Sequence, residues 1–203
     1  MDIQLKNKKD FFEHFGLKEN VNKTCLSYAG IGSRDIPDWV EHCMKSSAMW
    51  LGKRNYILRS GRAGGSDMAF EKGAISINAK TELYIPWNGF GPNDGRGINI
   101  TNKEIIRKAL EIAEYFHPKW SACSQGAKKL MIRNCFQVLG SNLNTSSKFI
   151  ICYTKDGKMI GGTSQALRIA KVLGVPIFNF GNYKNISEAR IGFAQFRKEV
   201  IGL

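Results

Sequence analysis

The chain has 203 residues, 43% of them hydrophobic, with 21 glycines and a formal charge of +13. That length fits a single domain whose sheet is covered on both faces, and no apolar run approaches the ~18 residues of a membrane span. The opening Met1-Asp2-Ile3-Gln4-Leu5-Lys6 lacks the apolar core of a signal peptide, so a cytoplasmic protein with no membrane partner is expected. Thirty Lys and Arg against 17 Asp and Glu favour anionic partners without naming them; a solvated basic surface and a nucleic-acid surface fit equally. The five cysteines (Cys25, Cys43, Cys123, Cys135 and Cys152) form no C-x-x-C pair and do not cluster with His14, His42 or His117. No metal site is expected, and the cysteines read as reduced thiols.

Residues 1–22 are polar apart from Phe11, Phe12, Phe15 and Leu17, which suggests an N-terminal extension forming a short helix laid onto the domain. Residues 23–203 read as one domain. Strands are expected at Cys25–Ala29, Tyr56–Ser60, Thr81–Ile85, Lys148–Tyr153 and Val175–Phe180. Helices are expected after Pro37 (Val40, Cys43, Met44, Ser47, Ala48 and Leu51 inward), at Asp67–Ile77, 103–116, 124–139, Thr163–Leu173 and 187–200. Trp87 to Thr101 reads as a long loop, a lid or binding segment rather than a connector. This alternation predicts a three-layer α/β fold, a Rossmann-like parallel sheet with helices on both faces and right-handed crossovers.

Three glycine-rich turns each follow an apolar run and precede a helix: Tyr28-Ala29-Gly30-Ile31-Gly32-Ser33-Arg34, Ser60-Gly61-Arg62-Ala63-Gly64-Gly65-Ser66-Asp67, and Gly161-Gly162-Thr163-Ser164. A strand that runs through glycines into a helix gathers free N–H groups and a positive helix end, which suits a phosphate. Because ligands of parallel sheets bind beyond the carboxyl ends of the strands, the turns should form three walls of one pocket. In the first, Gly30 and Gly32 allow close approach, Ser33 offers a hydroxyl and Arg34 a charged fork. Asp35 replaces the last glycine of G-x-G-x-x-G, which disfavours an ordinary NAD-dependent dehydrogenase.

In the second turn Gly61, Gly64 and Gly65 let backbone approach a ligand, Ser60 and Ser66 offer hydroxyls, and Arg62 a charge. Asp67 and Glu71, four apart, share a helix face. They either complement the helix dipole or act catalytically, one on ribose hydroxyls and the other on a developing oxocarbenium ion. In the third, Thr163 could cap the helix while the Gly161, Gly162 and Ser164 backbone faces a phosphate. Trp87 could present a ring to a base or belong to the core. His117 before Pro118 reads more readily as structural than as an acid or base. Arg133 and Asn134 fall within a helix, where Asn134 could point at a ligand.

These three blocks resemble the SLOG superfamily, whose members include the DprA/Smf DNA-processing proteins, the LOG phosphoribohydrolases and the YspA/YpsA-like group. Their spacing is similar to a branch of the last that is common in tailed bacteriophages, which would put the protein in a host cytoplasm. The resemblance covers roughly residues 24–180. It implies a Rossmann-like domain that binds a nucleotide, a nucleotide sugar or an NAD-derived molecule, needs no cofactor, and pairs as a homo-oligomer. The DprA-like pattern puts Gly32-Ser33-Arg34, Ser60, Gly61, Ala63, Gly65 and Asp67 on the phosphate rim. The LOG-like G-G-x-G-T-x-x-E is contracted here to Gly161-Gly162-Thr163, with Ala166 where the glutamate would fall. Three functions are therefore expected: N-glycosidic cleavage through Asp67 and Glu71, non-catalytic capture of an ADP-ribose-type signal, or single-stranded nucleic-acid binding.

Overall fold

The computed structural model describes residues 5–20 and 26–202. Its centre is a six-stranded sheet built from β1 (Ser27–Gly32), β2 (Ile57–Ser60), β3 (Thr81–Tyr84), β4 (Gly97–Ile98), β5 (Ile150–Tyr153) and β6 (Ile177–Asn179). The spatial order is β4-β3-β2-β1-β5-β6, and every neighbouring pair is parallel. The chain therefore builds outward from β1 to β4, then returns to the other side of β1. That reversal opens a crevice between β1 and β5, where ligands of open α/β sheets bind.

Period-two alternation divides each strand between two apolar layers. Ala29, Ile31, Ile150 and Cys152 face one core, and Tyr28, Phe149 and Ile151 the other. The first core is closed by α4 (Lys103–Phe116), α5 (Gln125–Leu139) and α6 (Thr163–Val172), and by α1 (Lys8–His14). The second is closed by α2 (Asp38–Gly52), α3 (Ser66–Ile75) and α7 (Ile186–Phe196). This is the three-layer α/β architecture that the sequence predicts. Within residues 5–20, α1 buries Phe11, Phe12 and Phe15 beside Phe116 of α4, with the Phe11 and Phe116 rings 6.1 Å apart.

Besides shifts of one or two residues at other element ends, three differences from the sequence reading stand out. Strand β1 runs on to Gly32, because Gly30 to Gly32 pair with Ile151 to Tyr153 of β5; Cys25 lies outside the described residues. The segment Trp87 to Thr101 contains the edge strand β4, paired at Leu83–Gly97 and Tyr84–Ile98. Helix α7 ends at Phe196 and continues as a wider π turn over Arg197–Ile201. Among the described residues, no helix is long and apolar enough to cross a membrane.

Candidate functional site

A cavity of about 480 Å³ lies at the β1/β5 crevice, within the usual ~300–1,000 Å³ of small-molecule sites. One wall is the turn after β1, Gly32-Ser33-Arg34-Asp35. Ser33 is fixed there because its N–H donates to the Tyr153 carbonyl at 2.9 Å, extending the β1–β5 ladder by one bond. The opposite wall is Ile160-Gly161-Gly162-Thr163, the entry to α6. Helix α5 crosses behind, with Leu130 and Met131 as its apolar patch and Arg133, Asn134 and Gln137 as its polar one.

The helix starts around this crevice share a property. Helices α1, α4, α5 and α7 are each capped by a side chain, from Asn7, Asn102, Ser124 and Asn185 respectively. Helices α2, α3 and α6, which follow β1, β2 and β5, have no side-chain cap, although in α3 the Ser66 and Met68 N–H groups donate to the Ser33 and Ala63 carbonyls at 3.0 and 3.2 Å. The first-turn amides of a helix have no partner within the helix, and a cap is the usual substitute for a ligand or water. Thr163 does not cap α6: the cap position is Gly162, and the Ser164 hydroxyl turns back onto the Gly161 carbonyl at 2.7 Å. Thr163 instead lines the cavity beside Gly162, and Asn134 Nδ2 ties this turn to α5 by donating to the Gly162 carbonyl at 3.2 Å.

The floor is an ion pair between Asp67 on α3 and Arg133 on α5, Oδ2 to Nη1 at 2.9 Å, with both side chains almost fully buried. The Ala63 N–H also donates to Asp67 Oδ2, at 3.3 Å. Gly61 makes room for this pair, since a Cβ there would fall on the Arg133 guanidinium. In the amide orientation that satisfies its neighbours, Gln137 accepts from Arg133 Nη1 at 3.0 Å and from the Gly61 N–H at 2.9 Å. It then donates to Asn134 Oδ1 at 3.0 Å. Burial pushes the Asp67 carboxyl above its ordinary range, while Arg133 and the backbone amides pull it back down. Arg133 Nε is buried and has no hydrogen-bond partner.

Glu71 does not join Asp67 in the cavity. Its carboxylate takes both Nη2 and Nε of Arg62, at 2.8 and 3.3 Å, and the same Nη2 reaches Asp94 at 2.7 Å. Arg62 is held in the left-handed region at φ 58° to make this reach. The group clamps the segment between β3 and β4 onto the second glycine turn. Trp87 lies in that segment, outside the cavity lining, and packs edge-on against Phe90 at 5.1 Å.

Of the other predicted binding residues, Gly32, Ser33, Arg34, Gly161, Gly162 and Thr163 line the cavity, and Gly30, Ser60, Gly64, Gly65, Ser66 and Ser164 do not. Ser60 donates to the Gly30 carbonyl at 2.7 Å, and Ser66 to the Ser33 carbonyl at 2.9 Å, so both hydroxyls stitch turn to turn. Gly65 adopts φ 74° directly against the Arg34 backbone carbonyl, where no Cβ fits. Gly30 packs beneath the Phe70 ring, and Gly64 is open on its outer side. His117 lies at the far end of α4, near Cys123 and Trp120.

Arg133 and Gln137, 66 and 70 residues from Asp67, carry no glycine-turn signature. The available signal is that Arg133, Asn134 and Gln137 recur at i, i+1 and i+4, a polar stripe on a helix whose flanking residues are apolar. The described cysteines Cys43, Cys123, Cys135 and Cys152 are free thiols, and no cluster of described His, Cys, Asp or Glu could hold a metal ion. No protein-family model, no curated protein and no solved structure matches this chain.

Proposed function

We propose that this cavity holds a phosphate-bearing nucleotide or nucleotide derivative. The observation that carries the reading is the uncapped start of α6 at the β1/β5 crevice, in the same cavity lining as Ser33 and Arg34. A phosphate there would take the Gly162 and Thr163 backbone amides, the Ser33 hydroxyl and the Arg34 guanidinium. Asp35 and Asn134 are the polar groups within reach of sugar hydroxyls, and Leu130, Met131 and Ile160 offer the base an apolar wall.

Asp67 is the one of the two α3 carboxylates that could meet the ligand, because Glu71 is sealed against Arg62. If the bound nucleotide is cleaved at its N-glycosidic bond, Asp67 is the group to face the developing oxocarbenium ion. Its ion pair with Arg133 instead favours a site that recognises and holds, since the paired carboxylate has little negative charge to spare. We therefore assign capture of a nucleotide-type ligand as the function, with cleavage as the second reading.

The test is a thermal-shift screen of nucleotides, nucleotide sugars and NAD derivatives, with chromatography of each hit. Capture predicts a raised melting temperature and a ligand returned unchanged. Release of free base, abolished by Asp67→Asn and retained in Glu71→Gln, would establish cleavage. No shift with any phosphorylated compound would sink both.

A further inference from the structure

A second cavity, of about 340 Å³, opens on the opposite face of the sheet, between α2 and α7. Its walls pair cations with rings. Arg197 lies over two aromatic faces, its guanidinium carbon 4.6 Å from the Trp50 ring centre and 5.4 Å from that of Phe193. Such stacking fixes the plane of the fork and leaves its in-plane donors for an acceptor. Arg197 Nε is nevertheless buried without a hydrogen-bond partner. Arg190, seven residues and two turns earlier on α7, is exposed at the same cavity. No Asp or Glu lines it, and neither arginine forms an ion pair with a described carboxylate. Ser46 and Ser47 add hydroxyls, and Phe180 lines the cavity from the end of β6.

Among the described residues the three buried arginines are each matched by a carboxylate, Arg59 by Glu82, Arg62 by Glu71 and Asp94, Arg133 by Asp67, whereas the half-buried Arg197 has none. The cavity between α2 and α7 has the cations, one of them pre-set by two rings, and lacks the anion. We propose that it is a second binding site, for a small organic anion: a carboxylate or phosphate monoester on a flat apolar body. The acid group takes Arg197 and Arg190 in fork geometry; the Trp50 ring is already covered by Arg197 and, at 3.9 Å, by Arg54, so the body lies against the Trp50 edge and Phe180. This site lies across the sheet from the nucleotide cavity and does not depend on that reading.

Phenyl phosphate and benzoate are the probes, with inorganic phosphate and phenol as controls for charge without a ring and ring without charge. Titration is followed in nitrogen-15 NMR spectra of the whole chain. A saturable response to at least one probe is expected at the Trp50 indole and at Arg190 and Arg197, weakened about tenfold or more in Arg190→Gln and in Arg197→Gln. Neither control should match it. Because Arg190 is exposed, its variant decides the matter even if Arg197→Gln loosens α7. The proposal is overturned by silence of both probes at about 10 mM, by binding that survives Arg190→Gln unchanged, or by shifts confined to Ser33, Gly161 and Thr163. An equal response to inorganic phosphate would reduce the site to an adventitious ion only. A response to a single-stranded oligonucleotide alone would assign the face to nucleic acid instead.

Discussion

Asp67 and Glu71 sit one turn apart on α3, yet their carboxylates are taken by different arginines, Arg133 at 2.9 Å and Arg62 at 2.8 Å. The first pair forms the floor of the β1/β5 cavity, and the second fastens a surface segment. A face shared on a helix thus divides into a cavity-facing role and an anchoring one.

The Asp67–Arg133 pair should be costly to break and its cost should depend on pH. Burial holds the folded-state carboxyl of Asp67 above its unfolded value, so its contribution to stability is present in acid and is lost as pH rises through the raised value. Arg133 opposes that rise. Arg133→Met should therefore destabilise by about 3–5 kcal/mol near pH 8, where an unpaired carboxylate would be stranded, and by less near pH 4. Urea denaturation at the two pH values measures this. Equal losses at both would mean that Asp67 does not carry the charge assigned to it.

The Arg62 clamp predicts the opposite pH behaviour at Asp94. Arg62 and the Arg96 N–H hold the Asp94 carboxyl well below its usual range. The anchor is therefore complete above about pH 4 and is lost only as pH falls through the lowered value. NMR titration of the Asp94 and Arg96 amides should give a midpoint below the ordinary Asp value. Glu71→Gln, by removing a like charge beside Asp94, should lower it further, while leaving ligand affinity at the β1/β5 cavity within about twofold. A large loss of affinity in that variant would return Glu71 to the site.

Sequence periodicity is enough for the layers, because parallel strands buried on both faces read as apolar runs and the helices between them carry inward stripes; the strand order that places the crevice between β1 and β5 is not legible in it. Periodicity could not show β4, whose two residues Gly97–Ile98 have no run to read. The glycine turns are alike in sequence, and only their neighbours separate them: Gly161 opens into the cavity, whereas Gly65 is pressed against the Arg34 carbonyl. Arg133 was the hardest to find, since its partner Asp67 lies 66 residues away and only the fold brings them together. Thr163 invited the role of a cap because a hydroxyl before an apolar helix usually is one, and the helix begins one residue earlier.

The glycines themselves can be tested one by one. Gly61→Ala would push the Arg133 guanidinium out of its seat, and Gly65→Ala would strain a φ of 74° against the Arg34 carbonyl. Each should cost more than the ~1 kcal/mol typical of a substitution, whereas Gly64→Ala, open on its outer side, should stay within about 0.5 kcal/mol. Thermal melts of the three variants give the order directly, and a Gly64→Ala as damaging as the other two would contradict the packing described.

The proposal that the β1/β5 cavity takes a phosphate is tested most directly by calorimetric titration with adenosine, AMP, ADP, ADP-ribose and NAD, on the native chain and on Arg34→Ala and Gly162→Val. At least one phosphorylated ligand should bind about tenfold or more tightly than adenosine, and both variants should reduce that advantage. Binding that ignores the phosphate, or no binding by any of the five at about 1 mM, would contradict the assignment.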